Sequence, residues 1–370
     1  PLNRPAFTAP RTDFEQTLAK AWQKVLNREK VGIHDNIFEL GGDSILILQI
    51  LAELNQQGIQ LRTSHFFEFQ TIAGLSEANV AAGNNTAEQS LVTGKVLLSP
   101  IQHWFFEQEL QEPHYYNQSI TLSTKDKLDH QSLSQSFQYL VELHDALRLR
   151  FDNTNGQWHQ YNPDSVKHEI FSIQRLTAED GKLPQDEIRQ ATLEMQASLD
   201  IEAGTLIKAR LFCVDDPTPD QLLIVVHHLV VDGVSWRILL EDLHNFYGQL
   251  ASKKPLQMPS KTSSWKAWTE NLKDAASTAK IMQDTEYWLR IAKTKTAQLP
   301  VDFAGTQNTE ASSEWVTSAL STEDSEQLLE RASKVWHTSI NEVLLAAFST
   351  AIFADNNELP VLFDVEGHGR

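Results

Sequence analysis

A pair of histidines at the end of an apolar stretch is the feature of this sequence with the clearest chemical potential. His227 and His228 follow the unbroken apolar run 222–226 and precede Asp232 and Gly233. An apolar run without alternation is typical of a strand that is covered on both faces. Because successive side chains on a strand point to opposite faces, we expect one histidine to face a site and the other to pack.

Proton transfer suits this pair better than metal binding. Two adjacent strand histidines rarely converge on one centre, and no Cys, Asp or Glu completes a ligand set nearby. An imidazole exchanges protons near neutral pH, which makes it a common general acid or base. We therefore predict a proton-transfer site without a metal ion. A buried strand end whose histidines bind only the backbone is the alternative interpretation.

The residues after the pair predict how it is positioned. Asp232 and Gly233 are expected to turn the chain, and Ser235 is expected to cap the next helix, which carries Trp236 in its first turn. Apolar residues recur at helical spacing through this helix at Leu239, Leu243, Phe246, Tyr247 and Leu250.

A second candidate for chemistry is Ser44, which follows Gly41 and Gly42 after one aspartate. Apolar residues at helical spacing surround it and predict a small helical bundle of about 70 residues from Asp13 onward. The glycine pair is expected to hold Ser44 out into solvent at a helix N-terminus. An ordinary helix N-cap is the alternative interpretation of this serine.

Beyond residue 96 the pattern alternates between helix and strand, which predicts an α/β domain with a mixed sheet. The proline-containing segment 253–264 interrupts the pattern and is expected to join two lobes. The predicted strands are 117–122, 147–151, 158–161, 169–173, 206–214, 315–320 and 360–365. The predicted helices include 133–144, 186–199, 265–272, 283–291, 322–336 and one that begins at Ser339.

Composition excludes several classes of function. The net charge of −18 over 370 residues makes nucleic acid an improbable partner, because phosphate binding needs a basic face. The apolar runs fall short of membrane-spanning length, so no membrane partner is predicted. Cys213 is the single cysteine, which excludes a disulfide framework and predicts a reducing, cytoplasmic location.

Several of these residues carry a resemblance to a known family. His-His-x-x-x-Asp-Gly at 227–233 resembles the signature of the condensation superfamily of nonribosomal peptide synthetases, related in fold to chloramphenicol acetyltransferase. Segments 100–105 and 144–151 also match that superfamily. The Ser-Trp after the glycine and Glu-Gly-His-Gly-Arg at 366–370 look like its epimerization branch, while Gly-Gly-Asp-Ser at 41–44 resembles a peptidyl carrier domain.

The resemblance implies a domain order. Residues 1–12 correspond to a linker from an upstream adenylation domain, 13–82 to a four-helix carrier bundle, and 83–95 to a flexible linker. Residues 96–370 correspond to a chloramphenicol-acetyltransferase-like α/β domain of two lobes with mixed sheets. Its lobes divide at about residue 262. Because epimerization domains continue past the Glu-Gly-His-Gly-Arg motif, the second lobe is expected to be incomplete.

The resemblance also implies a function and its partners. Ser44 would carry covalent 4′-phosphopantetheine, added by a phosphopantetheinyl transferase, and a downstream condensation domain or module would receive the product. His228 and Glu366 would remove and return the α-proton of a tethered L-aminoacyl or peptidyl thioester and give the D form.

Around that pair, the resemblance implies supporting roles for His227, Gly233 and Trp236. It also implies that Asp232 forms a buried ion pair with Arg148 or Arg150, of which Arg148 is the first choice. A condensation domain that forms peptide bonds and a non-catalytic docking relative are alternatives for the large domain. A free acyltransferase is a weaker alternative, because it would lack the Gly-Gly-Asp-Ser bundle.

Overall fold

The structure, a computed structural model, forms two compact units that divide between Ile281 and Met282. It describes residues 7–42, 44–57, 59, 61, 63–81, 87–165, 168–177, 184–214, 219–299, 301–303, 309, 312–336, 338, 340–353 and 359–365.

The larger unit begins with the predicted four-helix bundle. Its helices are α1 (Asp13–Val25), α2 (Ser44–Gln56), α3 (Thr63–Phe69) and α4 (Ile72–Ala81). Thr12 caps α1 by accepting a bond from the Glu15 backbone N–H, and Thr71 accepts one from Gly74 at the start of α4. The apolar stripes meet in one core, whose fully buried members include Leu18, Trp22, Ile33, Ile47, Ile50, Leu54 and Phe66.

The glycine pair makes a tight entry into α2. Gly41 has a φ of 92°, a left-handed conformation that costs glycine little, and Gly42 lies against Ile37. A Cβ at Gly42 would come within 2.6 Å of Ile37 Cγ1 and 2.7 Å of its carbonyl oxygen. A side chain at position 42 would therefore force the turn away from the bundle, and α2 would begin elsewhere than at Ser44.

Two sheets follow the bundle. Strands β2 (Asn117–Ser123), β5 (Phe171–Arg175), β6 (Ile207–Cys213) and β7 (Gln221–His227) form a four-stranded sheet in the order β2-β7-β6-β5. Its β5 and β6 are parallel and its other pairs antiparallel, as the prediction of a mixed sheet requires. The second sheet is antiparallel in the order β1-β4-β3 and contains β1 (Gly94–Val96), β3 (Arg150–Thr154) and β4 (Gln157–Asn162).

Helices cover both faces of the four-stranded sheet, which explains why β7 is apolar without alternation. One face packs on α6 (His130–Leu143) and α8 (Gly233–Ala251), and the other packs on α7 (Gln185–Ala197). The first core includes Phe137, Leu140, Leu211, Ile224, Leu239 and Phe246. The second includes Ile188, Met195, Phe212, Leu223 and Val225. Helix α5 (Pro100–Glu107) starts at a capping box between Ser99 and Gln102, as its sequence indicates.

The predicted strand 147–151 is wrong in its first half. Residues Asp145–Arg148 form a 3-10 turn, and strand β3 begins only at Arg150. The cause is the buried guanidinium of Arg148, whose Nη1 donates to the carbonyl oxygens of Val141 (2.6 Å) and Glu142 (2.8 Å) in the last turn of α6. A basic side chain that satisfies the free carbonyls of a helix end needs a compact turn, because an extended segment would carry it away.

The bundle packs directly on the start of α8. Val234 belongs to the buried core of the bundle, and Ile238 packs against the same core one turn later. Arg237 lies over the ring of Phe67 in α3, with its guanidinium carbon 5.1 Å from the ring centroid. The first two turns of α8 are therefore shared between the bundle and the α/β lobe.

Part of the segment predicted as a linker is bound to the α/β lobe. The side-chain amide of Gln89 makes two hydrogen bonds with the backbone of Lys261, donating to its carbonyl oxygen at 3.1 Å and accepting from its N–H at 2.9 Å. Val92 is buried, and its carbonyl oxygen accepts a bond from Arg148. From Gln89 onward the chain therefore belongs to the lobe.

The last helices of the chain are α9 (Trp265–Ala276) and α10 (Ala279–Gln283), followed by α11 to α14 in the smaller unit. Those four are Thr285–Lys293, Thr322–Glu326, Ser333–Trp336 and Ile340–Phe353, and a π-helical turn at Gln327–Ala332 joins α12 to α13. Among the residues that the structure describes, no helix is both long and apolar enough to cross a bilayer.

The predicted strands 315–320 and 360–365 are wrong, since neither segment forms a strand. Trp315 and Val316 are 94% and 96% exposed. A strand needs a neighbour to pair its backbone N–H and C=O groups, and the described residues of the smaller unit contain no strand that could supply one.

Candidate active site

His227 is the structural member of the histidine pair. It is the last residue of β7 and its side chain is fully buried. Its ring Nε2 donates to the carbonyl oxygen of Pro113 at 2.8 Å, because Nδ1 accepts the backbone N–H of Leu229 at 3.2 Å. Phe105 packs edge-on against the ring. Burial lowers the pKa of His227 to about 4, and the hydrogen bond to the Pro113 carbonyl oxygen opposes part of that effect.

The buried His227 predicts a loss of stability in weak acid. Its folded pKa lies below the unfolded value, so its contribution is complete above pH 6.5 and is lost as the pH falls toward 4. Between pH 7 and pH 5 we expect it to lower the free energy of unfolding by about 2 kcal/mol. Chemical denaturation at both pH values should show a smaller difference in the free energy of unfolding for His227→Gln than for the wild type. His159→Gln, at an exposed position, is the control and should keep the wild-type difference. An equal difference in wild type and His227→Gln contradicts the assignment.

His228 is the member that remains partly exposed, in the turn after β7. Its backbone N–H donates to the carbonyl oxygen of Tyr116 at 2.8 Å, and the Tyr116 ring stacks on the imidazole at 12° with centroids 5.2 Å apart. Ring Nδ1 lies 2.9 Å from the carbonyl oxygen of Val231, which can only accept. The neutral ring therefore carries its proton on Nδ1, and Nε2 is its basic atom.

Asp232 fixes the turn, but not through the predicted ion pair. It is the N-cap of α8, and its Oδ1 accepts bonds from both the backbone N–H and the hydroxyl of Ser235, each at 2.6 Å. Ser235, the predicted cap, is instead the third residue of the helix. Gly233 is the first helical residue.

The predicted pair of Arg148 and Asp232 is also wrong. The Arg148 guanidinium donates to three carbonyl oxygens, those of Val92, Val141 and Glu142. Burial lowers its pKa, and the charge of nearby Asp145 opposes that effect. Arg148 therefore anchors the end of α6 and the start of the lobe.

The cap predicts a measurable contribution of Asp232 to stability. Asp232→Ala should lower the free energy of unfolding by at least about 1 kcal/mol, because the first turn of α8 loses an acceptor for its backbone N–H. Asp232→Ser retains a capping oxygen and should recover part of the loss. Thermal denaturation of both variants measures the difference, and an Ala variant that melts like the wild type contradicts the capping role.

Gln118, which the sequence did not single out, and Trp236, to which the resemblance gave only a supporting role, complete the site. Gln118 lies on β2, opposite Val226, and its Nε2 is 3.1 Å from His228 Nε2. Its Oε1 accepts a bond of 2.8 Å from Nε1 of the buried Trp236. The sequence predicts β2 as a strand. It does not show that β2 pairs with β7, and only that pairing brings Gln118 to His228.

The other predicted reactive groups are only partly described. Glu366 lies outside the described residues. Ser44 is the first residue of α2, behind the tight turn at Gly41 and Gly42, and its side chain lies outside the description. A helix N-terminus favours an anionic group, so the position suits a phosphodiester.

Family comparisons match both parts of the chain. Residues 16–78 match the phosphopantetheine attachment site model, and residues 92–370 match the condensation domain model. A linear gramicidin synthase polypeptide of Brevibacillus parabrevis is 44% identical over 368 residues, which are 98% of this chain and 5% of that protein. Surfactin synthase subunit 2 of Bacillus subtilis (strain 168) is 38% identical over 365 residues, 98% of this chain and 10% of that protein. The chain thus spans a small part of these relatives.

Solved structures give the same fold. The epimerization domain from the third module of tyrocidine synthetase B is 33% identical, with a TM-score of 0.65 over 72% of this chain and 59% of that one. The first condensation domain of the calcium-dependent antibiotic synthetase is 17% identical, with a TM-score of 0.55 over 72% of this chain and 62% of that one. The predicted fold class, a helical carrier followed by a chloramphenicol-acetyltransferase-like α/β domain, is confirmed.

Proposed function

We propose that this chain, which belongs to the condensation-domain family and carries a phosphopantetheine attachment domain, epimerizes the acyl group tethered to its own carrier. The substrate class is an L-aminoacyl or L-peptidyl thioester, and the product is a mixture of D and L forms. The single observation that favours epimerization is the 33% identity to the tyrocidine epimerization domain, against 17% to the condensation domain above.

The cofactor of the attachment domain is covalent 4′-phosphopantetheine, and we assign its attachment to Ser44. The group supplies a thioester, which makes the α-proton of the acyl group more acidic than a carboxylate would. Gly41 and Gly42 place Ser44 at the start of α2, where the helix dipole favours the phosphate. A separate phosphopantetheinyl transferase supplies the base for attachment.

His228 suits the removal of the α-proton. The carbonyl oxygen of Val231 holds the ring proton on Nδ1, so Nε2 accepts a proton while the α-carbon keeps the bonding electrons. Inversion requires that a proton return from the opposite face of the α-carbon. The turn that carries His228 can reach only one of these faces. We assign that second role to the carboxyl group of Glu366. Either residue takes the first proton, according to the enantiomer that enters the site.

The synthetase context supplies the remaining partners of this proposal. An adenylation domain upstream loads the carrier, and a condensation domain or module downstream accepts the D form. The alternative function is peptide bond formation by the same histidine, which the condensation-domain match also fits. A docking relative without catalysis is disfavoured by the intact histidine turn.

A chirality assay on the full-length protein separates these functions. The carrier is loaded with an L-aminoacyl group and, in parallel, with the D form, and the acyl group is then hydrolysed from the carrier and resolved by chiral chromatography. We expect the same mixture of enantiomers from both starting forms. Recovery of only the starting enantiomer, together with dipeptide formation when a second loaded carrier is added, overturns epimerization in favour of condensation.

A further inference from the structure

Gln118 links the histidine turn to the first turn of α8. Its amide Nε2 lies 3.1 Å from His228 Nε2, and its Oε1 lies 2.8 Å from Trp236 Nε1. Trp236 is 7% exposed, so most of its side chain is shielded from water. One amide therefore connects a buried tryptophan to the basic atom of the candidate catalytic ring.

The direction of each bond follows from groups that have only one role. The indole N–H of Trp236 can only donate, so the Gln118 oxygen faces it and the Gln118 NH₂ group faces His228. The carbonyl oxygen of Val231 can only accept, so the His228 proton lies on Nδ1. The Nε2 lone pair is consequently the acceptor of the Gln118 amide. The bonds run in one direction from Trp236 through Gln118 and His228 to Val231.

We propose that Gln118 and Trp236 are positioning residues that fix the neutral His228 ring in its orientation and in the tautomer with the lone pair on Nε2, which the Gln118 amide occupies until the ring takes a proton. This inference rests on the proposed function. Trp236 acts through Gln118, because it sets which end of the amide faces the ring. Tyr116 holds the ring plane by stacking, and Val231 holds the other nitrogen.

The same arrangement makes Gln118 sensitive to the proton on His228. An amide NH₂ group cannot accept from a protonated Nε2, so the amide must turn away when the ring takes the α-proton. Turning breaks the bond to Trp236. The indole therefore favours return of the Gln118 amide after each turnover to the arrangement in which Nε2 of His228 is unprotonated.

Three variants test this inference in the full-length protein. Gln118→Leu removes both bonds, Trp236→Phe removes the indole N–H and keeps most of the buried ring, and Gln118→Glu places an acceptor at Nε2. We expect kcat for D-thioester formation to fall about tenfold in the first two variants, with KM little changed, since a misdirected base loses part of its contribution. Gln118→Glu should hold a proton on Nε2 and lower kcat further.

A double-mutant cycle shows whether Trp236 acts through Gln118. The variant that combines Gln118→Leu with Trp236→Phe should be no slower than Gln118→Leu alone, because the indole then has no amide to orient. If the losses in kcat of the two single variants multiply in the double variant, Trp236 does not act through Gln118 and the inference is overturned. Gln174→Leu is the matched control, because Gln174 lies on β5 of the same sheet and bonds Arg210 instead.

A spectroscopic measurement keeps the test independent of the reaction. With ¹⁵N-labelled histidine, wild-type His228 should show a protonated Nδ1 and a hydrogen-bonded, unprotonated Nε2, while Gln118→Leu shifts the Nε2 signal and Gln118→Glu shows both nitrogens protonated. An Nε2 signal unchanged in Gln118→Leu overturns the inference. If the wild type forms peptide bonds and no D product, the proposed function fails. The ¹⁵N signals still test whether Gln118 positions His228.

Discussion

His228→Ala should abolish formation of the D-thioester in the full-length protein while the carrier is still loaded normally. A general base contributes roughly a hundredfold to ten-thousandfold to a proton transfer, so the remaining rate should approach that of the unassisted thioester. Chiral analysis of the released acyl group measures the loss. Glu366→Gln should block D-thioester formation as well, since inversion needs a second group on the opposite face.

Solvent exchange separates the two roles. A single remaining base can still bring deuterium into the α-position from its own face, so each single variant should show exchange with retention of configuration, starting from only one of the two enantiomers. The two variants should differ in which enantiomer exchanges. If Glu366→Gln epimerizes at the wild-type rate, the carboxyl group is structural and the two-residue mechanism is wrong.

Ser44→Ala should prevent loading altogether. The serine hydroxyl is the atom that would be bonded to phosphopantetheine, so its removal leaves the transferase without an acceptor. Incubation with coenzyme A and a broad-specificity transferase, followed by mass spectrometry of the intact protein, should show one added arm in the wild type and none in the variant. Ser264 also starts a helix, as the N-cap of α9, and Ser264→Ala should load normally. The same mass gain in Ser44→Ala contradicts the assignment.

The parts of the fold that could be predicted are those whose signal is local. The apolar run before His227 identifies a strand covered on both faces, and the periodicity from Asp13 identifies the carrier helices. The alternation of side chains along a strand predicts that the two histidines differ in burial, and they do. Such a pattern can be recognised in the sequence because each residue type reflects the environment of its own backbone position.

The parts that could not be predicted depend on pairing between distant segments. Gln118 reaches His228 only because β2 pairs with β7 in a register that sets Gln118 opposite Val226. Arg148 has alternating leucines around it, which suggests a strand, yet its bonds to the end of α6 impose a turn. The expected ion pair with Asp232 is wrong because the Arg148 guanidinium binds three backbone carbonyl oxygens, one of them from the distant Val92.

The hydrogen bonds of Gln89 to Lys261 limit how far the bundle could move if it left its contacts with α8. Helix α4 ends at Ala81 and the lobe begins to hold the chain at Gln89, so the residues between them can span at most about 29 Å even when fully extended. A connection no longer than this would keep the bundle near its own lobe at an effective concentration of about a millimolar. Under the proposed function, any other domain that takes the acyl group would have to compete with this intramolecular partner. Lengthening this tether should favour the competitors without altering a single contact in either domain.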